Sequence, residues 1–197
     1  DKVLKELIKK DHKNGFYVDV GCYHPKKHSN TYNLYKKKNW EGINIDIEED
    51  KIQAFKLLRP NDVNVCCPIS NKKKFVHVIS NQSFGVKSKI IISKKFDKNT
   101  KQTKTLNDIL TNSKFKNRKI DLLNIDTEGN DFEVLKSLNL KKYEPKIILV
   151  ESHLNDIKKI FQSKMYKYLI THKYKLRSWN FFTLIFIKKT SKSLVNR

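Results

Sequence analysis

Three carboxylates fall within six positions in the segment Leu123-Asn124-Ile125-Asp126-Thr127-Glu128-Gly129-Asn130-Asp131-Phe132-Glu133-Val134-Leu135. They follow directly on an apolar run, and buried together they would repel one another, so a cation, a substrate or solvent has to justify them. Asp126 stands nearest the apolar run and is the least suited to an idle role. Asp131 has the ordinary alternative of capping a helix, and Glu128 that of plain exposure. Glu151 and His153 follow a second apolar run. A histidine takes a proton from a hydroxyl near neutral pH, and a neighbouring carboxylate orients it and steadies its charged form. Asp126, Glu128, Glu151 and His153 are therefore the candidate catalytic residues, with an ordinary exposed loop as the alternative for His153.

A different constellation lies upstream. Val18-Asp19-Val20-Gly21-Cys22-Tyr23-His24-Pro25 has the form of a strand entering a nucleotide-binding loop, with one glycine where such loops carry two or three. Gly21 lets the backbone approach a ligand, and Ser29-Asn30-Thr31 offers hydroxyls, an amide and helix N–H groups to a carboxylate. Asp46, 25 positions after Gly21 and at a strand end, is placed to accept hydrogen bonds from ribose hydroxyls. Its alternative is to cap the next helix, which Glu48 and Glu49 serve as well. A dinucleotide loop must follow two phosphates with its backbone. The missing glycines therefore count against NAD and hardly against S-adenosylmethionine, which has no phosphate. His24 and His28 stand four apart, but Pro25 and two lysines interrupt them, a poor zinc site. No metal ligand set is assigned.

Residues so scattered need a scaffold that gathers strand ends. Val3, Leu4, Leu7 and Ile8 share a helical face near the N-terminus. Phe16–Val20 reads as a buried strand, Asn30–Lys38 as a helix behind a Ser29 cap, and Ile43–Ile47 as a second strand, a parallel βαβ unit. The alternation continues with a helix over Glu48–Leu58, strands over Val63–Cys67 and Phe75–Ile79, and a helix from Leu106 behind Thr105. Strand Ile120–Ile125, helix Phe132–Leu138, strand Ile147–Val150 and one long helix over Asp156–Thr171 follow. Ser80–Lys104 is polar and resists assignment, apart from Ser83-Phe84-Gly85 as a loop over the site. Lys175–Trp179 and Thr183–Ile187 lie too close for a crossover and must form an antiparallel hairpin. The expected fold class is α/β, a Rossmann-like doubly wound sheet, mostly parallel, closed by an antiparallel hairpin strand as in class I methyltransferases. Ligands bind such sheets beyond the carboxyl ends of the strands, where all of these polar residues fall.

The 197 residues suit one domain, with an N-terminal helix in 1–14 and a tail at 190–197, and no linker or repeat divides them. The chain starts at Asp1 rather than methionine, which fits an excised domain. No apolar run approaches the roughly 18 residues of a membrane span, and three cysteines without an evident pairing suit a reduced, cytoplasmic setting. A net charge of +22 invites a polyanion such as RNA or an acidic glycan. Yet only four of the 42 basic residues are Arg, and the lysines spread over the whole chain among Asn and Ile, as codon bias in an A/T-rich genome would leave them.

Val18–Asp46, Lys104–Leu110, Leu122–Leu138 and Lys146–Ser152, taken together and in order, resemble the FkbM-like methyltransferases. The Ile-Asp-x-Glu-Gly-x-Asp segment followed by Val-Leu-Lys carries most of the likeness. The resemblance implies S-adenosylmethionine as methyl donor and O-methylation of a hydroxyl on a sugar or small molecule. It implies Asp19, Gly21 and Asn30 at the methionine end, Asp46 at the ribose, and Cys67 to Ser70 at the adenine edge; Tyr23, Ser29, Thr31 and Ile47 complete the expected donor-binding set. Asp126 or His153 would take the proton, and a divalent cation on Asp126, Glu128 and Glu151 is a variant the same residues leave open. Cys-Tyr-His-Pro in the first loop departs from the family's frequent Ala-Asn pair. Two rivals are an RNA 2′-O-methyltransferase, for which the lysines between Asp126 and Glu151 fit poorly, and a non-catalytic basic interaction domain.

Overall fold

In a computed structural model of the chain, residues 2–9, 11–79, 89–93 and 97–189 are described. The expected Ser83-Phe84-Gly85 loop and the tail at 190–197 lie outside the described residues. In chain order the elements are α1 (Lys2–Leu7), β1 (Phe16–Val20), α2 (Tyr32–Lys38), β2 (Glu41–Asp46), α3 (Glu49–Leu58) and β3 (Val63–Cys66). Then come β4 (Phe75–Ile79), β5 (Lys89–Ser93), β6 (Thr100–Gln102), α4 (Leu106–Thr111), β7 (Leu122–Ile125), α5 (Asp131–Lys136) and α6 (Leu140–Tyr143). The chain finishes with β8 (Ile147–Glu151), α7 (Ile157–Gln162), α8 (Lys164–Thr171), β9 (Tyr174–Asn180) and β10 (Thr183–Lys188).

Seven strands form the main sheet in the order β3-β2-β1-β7-β8-β10-β9. β3, β2, β1, β7 and β8 run parallel, whereas β10 pairs antiparallel with both β8 and β9. The expected Rossmann-like sheet with its antiparallel C-terminal hairpin is therefore the fold. Its strands are apolar on both faces because both faces are covered. On β8, Ile148 and Val150 face a core shared with α4, α5, α7 and α8, while Ile147 and Leu149 face a second core with Leu4, Leu7, Ile8, Leu34 and Trp40.

Several expectations change, among them the N-terminal helix, which ends at Leu7, and the strand expected from Ile120, which starts at Leu122. α2 begins at Tyr32, not Asn30, because Ser29 Oγ accepts from the backbone N–H of Thr31 (3.3 Å) and Tyr32 (3.2 Å), a turn that precedes the helix. The helix expected over Asp156–Thr171 is two. Ser163 is extended (ψ 148°), and its hydroxyl accepts from Tyr166 N–H at 3.1 Å to start α8 afresh. The strand expected to reach Ile47 ends at Asp46, and the one expected to reach Cys67 ends at Cys66. The unassigned stretch holds β5 and β6, which flank β4 in a separate antiparallel sheet.

Gly21 fixes how closely β1 and β7 approach. Its φ is +76°, and a Cβ on it would lie 1.8 Å from the Asp126 carbonyl oxygen. Gly21 N–H donates to Ile45 O and Asp126 N–H to Val20 O, both at 2.9 Å. Gly21→Ala must therefore push two strand ends apart in a left-handed conformation. Urea unfolding should show it destabilised by more than about 2 kcal/mol.

Candidate active site

Strand register builds the site. Val20 is level with Ile45 on β2 and with Ile125 on β7, and Ile125 with Val150 on β8. The following residues, Asp46, Gly21, Asp126 and Glu151, accordingly stand in one row across the carboxyl edge of the sheet. Neighbouring strands lie about 4.8 Å apart, so Asp46 and Asp126, with β1 between them, are about 10 Å apart. Cys66 continues the row beyond Asp46, and Thr183 continues it beyond Glu151.

The first loop is held from beneath by Arg59, the residue that ends α3 and is wholly buried. Its Nε donates to Pro25 O at 2.9 Å, and Nη2 donates to the same oxygen and to Ser29 Oγ (2.8 Å). Nη1 donates to Thr31 Oγ1 (2.8 Å) and Tyr17 OH (3.3 Å), and the guanidinium lies over the rings of Phe55, Tyr32 and Tyr35. The Tyr17 hydroxyl donates to Asp62, whose carboxylate also accepts from Gly42 N–H and Asn44 Nδ2. Thr31 Oγ1 donates to Asp19 at 2.7 Å, Asp19 accepts from Asn124 Nδ2 at 2.8 Å, and Asn124 Oδ1 accepts from Asn30 Nδ2 at 3.1 Å. Burial raises the carboxyls of Asp19 and Asp62 above the usual range, and their hydrogen bonds oppose it. Thr31 and Asp19 thus spend their oxygens inward, while Ser29 and Asn30 remain half-buried at the loop surface.

Asp46 is 6% exposed. It accepts from the backbone N–H groups of Tyr23 and Glu48, each at 3.1 Å, and Lys51 Nζ lies 3.8 Å away. Burial raises its carboxyl, with Lys51 pulling the other way. Tyr23 has φ +55°, and its exposed ring faces Lys51 Nζ at 5.2 Å. Beyond β2 the Ile47 carbonyl accepts from Lys101 Nζ at 3.1 Å. Cys67 N–H donates to Asp46 O and Ser70 N–H to Lys104 O, both at 3.0 Å, and both residues are buried. Burial pushes the Cys67 thiol up to about 11.

At the other end of the row the acidic residues do converge. Glu128 (φ +57°) turns its backbone N–H to Glu151 Oε2 at 3.1 Å. His153 Nε2 lies 3.1 Å from Glu151 Oε1 and 3.8 Å from Glu128 Oε2, with half of its side chain open to solvent. Asp126 is hydrogen-bonded to Glu151, and its carboxyl is pushed up to about 7. Crowding that thins out water is the largest cause, followed by the charges of Glu151, Glu128 and Asp131. Its surface still opens to solvent, so this is local crowding, not full enclosure. Asp131 instead ties the loop together, accepting from Thr127 N–H (2.8 Å), Thr127 Oγ1 (3.0 Å) and Gly129 N–H (3.1 Å).

Sequence reasoning missed Arg59, Tyr17, Asp62 and Asn124, which hold the loop from beneath. One signal was legible: Arg59 is an arginine in a chain that uses lysine almost everywhere else. Arg59→Met leaves the carboxylates of Asp62 and Asp19 buried without their cation and should cost about 3 kcal/mol or more in urea unfolding. Arg59→Lys should recover only part, since one ammonium cannot span four acceptors.

A family model of the methyltransferase FkbM domain matches residues 19–176. Among solved structures the chain is similar to methyltransferase FkbM from Methylobacillus flagellatus KT, with a TM-score of 0.58 and 12% identity over 93% of this chain and 45% of that one. It is also similar to a TehB-like SAM-dependent methyltransferase from Corynebacterium glutamicum ATCC 13032 Kitasato, with a TM-score of 0.42 and 11% identity over 90% of this chain and 82% of that one. No curated protein matches. The chain thus spans less than half the length of the Methylobacillus protein, and at this identity the likeness is one of fold. The family match itself runs from Asp19 in β1 to Leu176 in β9, through both ends of the row of site residues, and by it the chain belongs to the FkbM methyltransferase domain family.

Proposed function

We propose that the chain is an S-adenosylmethionine-dependent O-methyltransferase acting on a hydroxyl of a sugar or small molecule. The observation that carries this reading is the row itself, with a carboxylate suited to ribose at one end and a proton-accepting cluster at the other. Asp46 fits the donor. Its two backbone N–H partners leave lone pairs free, and Tyr23 and the half-buried Ser29 and Asn30 flank it on the loop. Cys67 and Ser70 stand next along the edge, on the side expected for adenine. S-adenosylmethionine, when bound, supplies a methyl group activated on sulfur.

The chain's remaining task is a proton. An acceptor hydroxyl that gains the methyl must lose its hydrogen, and Asp126, poised near neutrality and bonded to Glu151, is matched to receive it. His153, backed by Glu151, offers a second route for that proton out to solvent. Glu128, Glu151 and His153 bring ligand atoms within 4.8 Å of one another, so a divalent cation is the second reading, on a set in which His153 replaces Asp126. Among the described residues no helix is long and apolar enough to cross a membrane.

S-adenosylhomocysteine at 100 times its dissociation constant should stabilise the protein by about 2.7 kcal/mol in a thermal-shift assay. Asp46→Ala should abolish that shift, and Asp126→Asn should keep it; no shift in the wild type at millimolar ligand would sink the reading. Methyl transfer should rise with pH through about 7, as Asp126 ionises, and Asp126→Asn should lose both the activity and that dependence. EDTA that stops turnover without changing donor binding would favour the cation.

Stability should move in the opposite sense. The Asp126 carboxyl titrates higher in the fold than its unfolded value of about 3.9, so ionisation costs the folded state. That cost is fully present above about pH 7 and absent below about pH 4. Asp126→Asn should therefore raise Tm in a scan at pH 8 and leave it unchanged at pH 4.

A further inference from the structure

The hairpin between β9 and β10 turns on Phe181 and Phe182 alone, since Asn180 pairs with Thr183. Two-residue hairpin turns favour Asn, Asp or Gly where φ is positive. Here Phe181 sits at φ +50° and is 91% exposed, and Phe182 is 61% exposed. An aromatic pair in water, one member of it left-handed, serves neither the turn nor the core. Such local conflicts collect where a ligand is gripped.

The tip is nonetheless held in place. Phe181 O accepts from Trp179 Nε1 at 2.6 Å, and Phe182 O accepts from Ser152 N–H at 2.7 Å. Thr183 stands level with Glu151, and the Phe182 ring lies 5.4 Å from the His153 ring, centroid to centroid. A backbone-anchored tip therefore sets the Phe182 ring beside the proton-accepting cluster, with Phe181 next to it in the turn.

Resting on the methyltransferase reading above, we propose that Phe181 and Phe182 form the platform for the acceptor, and that the acceptor is an uncharged pyranose. A pyranose lays its C–H face on an aromatic ring and turns several hydroxyls outward at the edge, where Glu151, Glu128 and His153 stand. Carboxylates accept hydrogen bonds from such hydroxyls. The same carboxylates repel phosphate, which disfavours a nucleotide on this face.

Saturation-transfer NMR on the full chain with S-adenosylhomocysteine, using methyl α-D-glucopyranoside, mannopyranoside and galactopyranoside, tests this. Ring C–H protons of at least one glycoside should receive saturation. Phe182→Ala should weaken its affinity about tenfold, the scale of one lost aromatic contact, and Phe182→Trp should restore it. Phe181→Gly relieves the positive φ, so it should hold or raise Tm while weakening the same affinity, a split that a purely structural turn would not give. The platform is overturned if wild type takes up S-adenosylhomocysteine but none of the glycosides, if Phe182→Ala binds them unchanged, or if uridine 5′-monophosphate binds the tip better. Failure to take up S-adenosylhomocysteine removes the donor reading instead, and glycoside binding is then read on its own.

Discussion

A single buried cation organises the first loop and the strands beneath it. Arg59 closes α3 and is the point where the first loop, the β1 strand and the α3–β3 turn meet. A guanidinium can do this because its donors are fixed in one plane and aim in different directions, whereas a lysine offers one flexible head. The arrangement is costly in isolation, since a charge without water must be matched by several partners. Asp62 through Tyr17, and Asp19 through Thr31, supply the opposite charge at one remove, so no direct ion pair is needed. The loop is thereby shaped by residues buried beneath it.

The acidic cluster at the other end of the row works on the reverse principle. Around Asp126 like charges are brought together, and crowding and mutual repulsion lift its carboxyl into the neutral range. A fold selected for stability alone would separate them. Backbone contacts hold them there, with Glu128 turned left-handed to point its N–H at Glu151, and Asp131 stitching the 127–129 turn. Like charges crowd together at one end of the row, whereas at the other each buried carboxylate has hydrogen-bond donors.

Much of this was legible in the sequence. Apolar β-branched runs bounded by Gly, Asn and Pro placed the strands of the main sheet, because burial on both faces leaves a signal that needs no partner to read. The short gap between the last two runs dictated their hairpin. What escaped was set by tertiary contact. Ser163 breaks a helix whose periodicity runs through it, and β5 and β6 are defined only by pairing with β4. Of the site, the residue types at the strand ends were plain, but not their partners. Thr31 looked like a ligand donor and lies inward, and the residues whose ligand atoms lie close together are Glu128, Glu151 and His153, a grouping the sequence did not single out.

Gly21 carries a consequence for how such a protein can diversify. With no side chain between its α-carbon and the Asp126 carbonyl, the ends of β1 and β7 meet backbone on backbone. Neither strand end can shift without disturbing the other. Change in sequence is then accommodated at the rim, where the hairpin tip and the residues after β8 vary without reaching that seam. The middle of the row is the part of the edge least free to change shape.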